Sequence, residues 1–324
     1  MSSTDLKKVL ISSASSKIPL IRLVEDCIRS SPELGLLAGD TDNLALSSFS
    51  GCEFWTMPET IDEKVEEILQ GCLDRNVGLI IPTRDGELIF WAENRTRFEN
   101  HGVKVAISSP DAVKTCLDKI EFSEWGIGRG LPFIPSFLSL SEIENEGVVL
   151  KERFGSGSAG LYMNRPRNEL KELFEKLESP IFQPFVFGPE ISVDAWLNSH
   201  GEVHGFVLRR RDVVRNGESQ VTTTFRSVEN EPEIHDILSA LGRDLGIRGA
   251  IVMQAILHEG RLRIIEVNAR SGGASSASVQ VGLNPICCSI QEAFWGTESL
   301  TKFERASVEV RQVRGPVDTH TILP

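Results

Sequence analysis

The sequence predicts a parallel-sheet α/β domain followed by an α+β region, on three observations. Short apolar runs alternate with amphipathic stretches through the N-terminal third. Extended segments separated by turn signals dominate the remainder. Two apolar strands carry polar residues that a plain structural strand would not need, Lys151 on one and Glu266 with Asn268 on the other. Lys8–Ser12, Leu34–Ala38, Val77–Ile81 and Val103–Ile107 read as strands, and Pro19–Arg29, Ile61–Leu73 and Glu87–Phe98 as helices. In the second helix Ile61, Val65, Ile68, Leu69 and Leu73 recur at helical spacing. Strands alternating with helices make a parallel sheet covered on both faces. A single helix-like stretch follows near Ala112–Trp125. Extended segments then come at Val148–Lys151, Gly160–Met163, Ile181–Phe187, Ile191–Leu197, Val203–Arg210, Gln220–Arg226, Ala250–Leu257 and Arg261–Val267. Helices lie near Asn168–Leu177, Pro232–Leu245 and Pro285–Phe294.

The chain has 324 residues, 40% hydrophobic and 25% charged, which is ordinary for a soluble globular protein. A net charge of −12 argues against nucleic acid as a partner. No apolar run reaches the ~18 residues of a membrane helix, and the polar start Met1-Ser2-Ser3-Thr4-Asp5 does not read as a signal peptide. The expectation is a cytoplasmic protein. Its six cysteines form no C-x-x-C pair, so they are expected to be reduced thiols packed as small hydrophobes. A dinucleotide site is not expected at the first turn, because Ser12 to Ser16 contains no glycine. Asp40, which follows the second strand, then reads as a turn residue.

Chemistry concentrates in four segments. An apolar strand ends at Lys151, followed by Arg153 and the loop Gly155-Ser156-Gly157-Ser158-Ala159-Gly160. Glycines let backbone N–H groups converge on an anion, although glycine and serine alone also make a hairpin turn. No Gly-Lys-Ser/Thr follows, so this is not a Walker A loop. On the strand Arg261–Val267, Glu266 and Asn268 share one face, with Arg270 beyond them. A carboxylate beside an amide oxygen suits Mg²⁺. Gln183-Pro184-Phe185-Val186 reads as a connector whose backbone pairs with a flat base, and Glu190 would accept from ribose hydroxyls. Arg209, Arg210, Arg211 and Arg215 form a basic cluster suited to phosphates and carboxylates, or else a solvated charged hairpin.

In this order the segments resemble the ATP-grasp superfamily, and within it the branch similar to the carbamoyl-phosphate synthase large subunit. The resemblance covers nearly the whole chain. It implies a pre-ATP-grasp α/β domain over residues 1–112. It further implies a small nucleotide-lid subdomain over 113–187 and a large metal-bearing subdomain over 188–324. By this resemblance Lys119, Lys151, Arg153, Gly155, Ser156, Gly157 and Ser158 approach the nucleotide phosphates. Gln183, Pro184, Phe185 and Val186 match the adenine hinge, and Glu190 the ribose acid. Glu266 and Asn268 match metal ligands, Arg215 a phosphate contact, and Arg270 the group that holds the acyl substrate. The family's third metal position is expected at Met253, with Gln254 pointing away unless a bulge turns it inward.

The resemblance implies an ATP-dependent ligase that joins a carboxylate to an amine through an acyl phosphate, using Mg²⁺ or Mn²⁺. An amino acid or similar small metabolite is the expected substrate, with Arg209, Arg211 and Glu218 as its recognisers. The alternatives are a catalytically impaired nucleotide-binding subunit and a kinase-like phosphotransferase. A homodimer is the default assembly.

Overall fold

The computed structural model describes residues 6–144, 147–155, 157 and 160–315. Ser156, Ser158 and Ala159 lie outside the described residues. The N-terminal sheet contains β1 (Lys7–Ile11), β2 (Leu34–Asp40), β3 (Glu53–Thr56), β4 (Val77–Ile81) and β5 (Lys104–Val105). Its order is β3-β2-β1-β4-β5 and every pairing is parallel. α1 (Ile18–Ile28), α2 (Val65–Asp74) and α3 (Leu88–Glu99) cross between strands. Successive residues of β1 serve opposite faces, as strand geometry demands. Leu10 joins the core with α2 and α3, while Val9 and Ile11 join the core with α1. β3 was not expected from the sequence, because a four-residue edge strand offers too short an alternation to read.

The single helical stretch expected near Ala112–Trp125 is instead two helices, α4 (Pro110–Leu117) and α5 (Lys119–Ile127). Asp118 makes the break. Its backbone is extended, and its carboxylate caps α5 by accepting from the N–H groups of Ile120 (3.0 Å) and Glu121 (3.3 Å). The cap places Lys119 at the first turn of α5, buried and facing the site.

Two antiparallel sheets follow. The smaller has order β7-β6-β8, from β6 (Val148–Glu152), β7 (Tyr162–Arg165) and β8 (Pro180–Pro184), with α6 (Leu170–Phe174) packed on it. β8 is an outer strand ending in Pro184, a position where a missing N–H is tolerated. The larger sheet has order β13-β12-β9-β10-β11-β14. Its strands are β9 (Glu190–Leu197), β10 (Val203–Arg215), β11 (Glu218–Phe225), β12 (Gly249–His258), β13 (Arg261–Asn268) and β14 (Arg311–Val313). α7 (Glu231–Ala240), α8 (Ser276–Val279) and α9 (Pro285–Trp295) complete the described α-helices. β10 and β11 meet in a two-residue turn in which Asn216 and Gly217 both have positive φ, the arrangement that matches strand twist.

The N-terminal sheet and the large sheet share one core. Leu10, Leu37 and Trp91 pack in the same cluster as Ile191, Val193 and Ile264. α9 returns to cover the other face of the N-terminal sheet through Ile286 and Ile290. Cys27 of α1 and Cys287 of α9 are joined as a disulfide, which corrects the expectation that all six cysteines are free thiols. The two are 260 residues apart, and only the return of α9 brings them together. Cys52, Cys72, Cys116 and Cys288 remain thiols. Burial pushes Cys72, Cys116 and Cys288 up to about 12, so they are inert at neutral pH. Among the described residues no helix is long and apolar enough to cross a membrane. Thiol titration of the protein denatured without reductant is expected to count four thiols, and six after reduction; six without reduction refutes the bond.

Candidate active site

A cavity of about 840 Å³ opens between the small and large sheets. That is near the upper end of the roughly 300–1,000 Å³ of small-molecule sites. One wall comes from β6 and its loop, with Lys151, Gly155 and Gly157, and Lys119 projects from α5 beside them. Lys119 Nζ donates to the carbonyls of Gly155 (2.9 Å) and Arg153 (3.3 Å), tying α5 to the loop. Both lysines are more than nine-tenths buried. Burial pulls Lys151 down to about 8, against the opposing pull of Glu266, while neighbouring Lys119 lowers it further. Lys119 is also lowered, chiefly by burial.

The facing wall is the large sheet, and its register decides the metal question. Val252 pairs with Asn268, Met253 with Val267, and Gln254 with Glu266. Directly opposed residues share a face. Gln254, Glu266 and Asn268 therefore line the cavity together, while Met253 is wholly buried in the core. This corrects the expectation that Met253 occupies the third position. The ladder is irregular just past Gln254, where Ala255 pairs with Ile264 and Ile265 is left as the extra residue of a bulge. Sequence counting without that pairing assigns the wrong face. The three side chains offer hard oxygens with a single carboxylate, a set that fits Mg²⁺ or Mn²⁺ held jointly with phosphate oxygens.

At the far end the cavity is bounded by Gln183 to Phe187, together with Ile134, Leu161, Met163 and Ile256. These make an apolar slot suited to a flat ring. The Gln183 side chain donates to Ser136 Oγ at 2.8 Å and is buried, so Gln183 presents main chain to the slot. Gly188 has φ +154°, and a Cβ there would meet the Leu257 carbonyl at 2.3 Å. Only glycine lets the connector pass β12 so closely. Glu190 sits at the slot's edge with Arg211 Nε 3.0 Å from Oε1. Burial raises the Glu190 carboxyl above its ordinary range, with Arg211 opposing.

Several expected contacts are placed elsewhere. Arg153 does not line the cavity; its guanidinium forms a two-point pair with Asp118 (2.8 and 2.5 Å). Arg215 is exposed at the end of β10 and does not line the cavity, although its neighbours Val214 and Asn216 do. Arg209 touches the cavity but is 2% exposed and committed to Asp194 through two bonds of 2.7 Å. Ser275 and Ser278 also donate to the Asp194 carboxylate. Arg209 thus anchors the segment after Arg270 instead of reaching for substrate. Arg211 is held by Glu190 and by the Gly217 carbonyl (2.8 Å). Glu218 does line the cavity mouth and pairs with Arg314 at 2.9 Å. Gln254 was expected inward only if a bulge turned it, and the register with β13 supplies that bulge. Arg314 was missed in the sequence, because it follows a three-residue strand with no pattern of its own.

Comparisons with known proteins bear on the family and the fold. A family model described as "ATP-grasp in the biosynthetic pathway with Ter operon" matches residues 176–316. A "PylC-like, N-terminal domain" model matches residues 9–106. Over residues 176–316 the chain is thus similar to an ATP-grasp family. A D-alanine–D-alanine ligase of Fusobacterium nucleatum is 27% identical over 181 residues, covering 53% of this chain and 62% of the relative. The carbamoyl phosphate synthase large chain of Methanosarcina mazei is 28% identical over 214 residues, covering 58% of this chain and 20% of the relative. The chain therefore spans less than two thirds of the length of either relative. Among solved structures, the L-amino acid ligase of Bacillus licheniformis superposes with a TM-score of 0.74 at 18% identity, covering 97% of this chain and 81% of the other. The biotin carboxylase domain of Hydrogenobacter thermophilus 2-oxoglutarate carboxylase, solved with MgADP and bicarbonate, gives 0.75 at 18% identity, covering 95% and 74%. These superpositions establish the ATP-grasp fold.

The Asp194 network gives a direct test of how the wall is held. Asp194→Ala strands a buried guanidinium, and breaking such a pair costs about 3–5 kcal/mol. Urea denaturation is expected to show a loss of that size, and a change near zero contradicts the assignment.

Proposed function

We propose that this ATP-grasp protein is an ATP-dependent ligase that joins a small carboxylic acid to an amine through an acyl phosphate. An amino acid or similar metabolite is the substrate class. One observation carries the reading: two buried lysines face Gln254, Glu266 and Asn268 across a single cavity. Buried cations on one side and metal-type oxygens on the other suit a metal-bound polyphosphate. The names of the relatives, a D-alanine–D-alanine ligase and an L-amino acid ligase, support the same chemistry. We assign residues 1–112 to a pre-ATP-grasp unit, 113–187 to the nucleotide lid and 188–324 to the metal-bearing unit. A homodimer is proposed as the assembly, by likeness to the carboxylase domain, which was solved as a dimer.

In this reading adenine enters the apolar slot, with ribose near Glu190 and the phosphates between Lys119, Lys151 and the backbone of Gly155 and of Gly157. Magnesium, held with Gln254, Glu266 and Asn268, would neutralise charge on the phosphates. The acid's carboxylate attacks the γ-phosphorus, the bond to the β-phosphate oxygen breaks, and ADP and an acyl phosphate form. The amine then attacks the acyl carbon, phosphate departs and the amine loses a proton. Arg270 holds the acyl group and the lysines hold charge in place, so positioning and electrostatics supply the catalysis. The loop after Lys151 would exclude water from the acyl phosphate. The impaired-enzyme alternative rested on Met253, and the placement of Gln254 beside Glu266 removes that ground.

The test is ADP release over amino acids and small carboxylates, singly and in pairs. Release that requires both an acid and an amine supports the ligase, and a stable phosphorylated product without amine supports a kinase instead. Glu266→Gln is expected to abolish release with the fold intact by circular dichroism, Lys151→Ala to weaken ATP binding, and Arg215→Ala to leave release unchanged. Full turnover by the Glu266 variant sinks the metal assignment.

Lys151 also sets a pH dependence. Its ammonium is charged below about 8 in the empty site and neutral above, and bound phosphates favour the charged form. Nucleotide affinity is therefore highest below about 8 and falls as pH rises through it, with protons taken up on binding. Calorimetry of MgADP in buffers of different ionisation enthalpy should show more uptake at alkaline than at neutral pH. Lys151→Ala should remove the difference.

A further inference from the structure

Arg270 does not stand alone beside the metal-type ligands. Its Nε and Nη2 donate to the two carboxylate oxygens of Asp85 at 2.7 and 2.5 Å, and its Nη1 donates to the Ser271 carbonyl at 3.2 Å. Asp85 belongs to the N-terminal sheet, in the turn after β4, and lies 185 residues away in sequence. β1 and β4 are adjacent, while β2 lies on the other side of β1. The turn after β4 is therefore at the sheet's switch point, where open parallel sheets receive ligands.

The turn itself is rigid. Glu87 is fully buried and accepts from the N–H groups of Thr83 (2.8 Å) and Arg84 (3.1 Å). It also accepts from Ser13 Oγ and Trp91 Nε1, each at 3.0 Å. Thr83 Oγ1 donates to the Ser12 carbonyl at 2.6 Å, pinning the turn to the loop after β1. Asp85 is thus presented from a fixed support. A water-sized space of about 20 Å³ is lined by Asp85, Lys119, Glu266 and Asn268, so the Asp85 carboxylate borders the same chemistry as Arg270.

Holding the two units together does not need this pair. They already share one apolar core, which spans both sheets without it. What a two-point pair supplies is direction, since the planar guanidinium fork can meet both carboxylate oxygens in only one orientation.

We infer that Asp85 is a positioning residue: it fixes the guanidinium of Arg270 in the orientation that receives the acid substrate's acyl group. Its effect on turnover rests on the ligase reading, and its effect on Arg270 does not. The experiment compares the full chain with Asp85→Asn and Asp85→Glu. Steady-state ADP release would use an acid and amine pair that supports turnover. Calorimetry would use MgADP, and Arg270 modification by phenylglyoxal would be read by peptide mass spectrometry. Asp85→Asn is expected to lower kcat by about 100-fold, the scale of a misplaced catalytic contact. The KM for ATP, MgADP affinity and thermal midpoint should stay near wild type, and Arg270 should be modified faster. Asp85→Glu should recover part of kcat. A wild-type kcat in Asp85→Asn overturns the proposal, as does a loss that tracks weaker MgADP binding or unfolding. Should no acid and amine pair support turnover, the ligase reading fails, and labelling alone decides. Faster modification in Asp85→Asn then upholds the positioning role, and equal rates overturn it.

Discussion

Lys151 is almost completely removed from water, and among its charged neighbours Glu266 does most to keep its proton. An ammonium group buried in this way is costly unless a negative partner arrives. Lys119 sits in the same condition, its donors turned to the carbonyls of the loop that follows Lys151. Two buried ammonium groups so placed suit a polyanion carrying its own divalent cation. The remaining architecture serves to place them: a cap at Asp118 positions Lys119, the edge position of β8 supplies an apolar slot, and the large sheet supplies the oxygens opposite.

The large sheet is kept in shape by charges that take no part in the chemistry. Asp194 and Arg209 are buried as a pair, with Ser275 and Ser278 closing the remaining acceptor positions. A satisfied buried network of this kind favours one geometry over others more than it adds stability. It fixes the segment that follows Arg270, so the substrate end of the cavity inherits its shape from residues that bind no substrate. Asp85 extends the same logic across to the N-terminal sheet.

Much of this was legible in the sequence because it is local. Alternation of β1, β2 and β4 with their helices follows from apolar spacing, and Lys151, Glu266 and Asn268 stand out as polar residues on apolar strands. The illegible parts depend on pairing between distant segments. Gln254 faces the cavity because of its register with Glu266 and the bulge at Ile265, and Met253 would have been chosen without that register. The arginine cluster looked like a substrate grip, yet Arg209 and Arg211 are satisfied by Asp194 and Glu190 on the neighbouring strand. Cys27 and Cys287 meet only because α9 folds back on the first sheet. Free charge cannot be read from a sequence until its counter-charges are located.

The central claim is that nucleotide and divalent metal occupy the space between the two lysines and the Gln254–Glu266–Asn268 face as a unit. Electron paramagnetic resonance of Mn²⁺ tests it most directly. With only one carboxylate among the three donors, free Mn²⁺ should bind weakly to the protein alone and strongly once ATP is added, and Glu266→Gln should abolish the ATP-dependent signal. Equally tight Mn²⁺ binding with and without ATP, or an ATP-dependent signal unchanged in Glu266→Gln, contradicts the account.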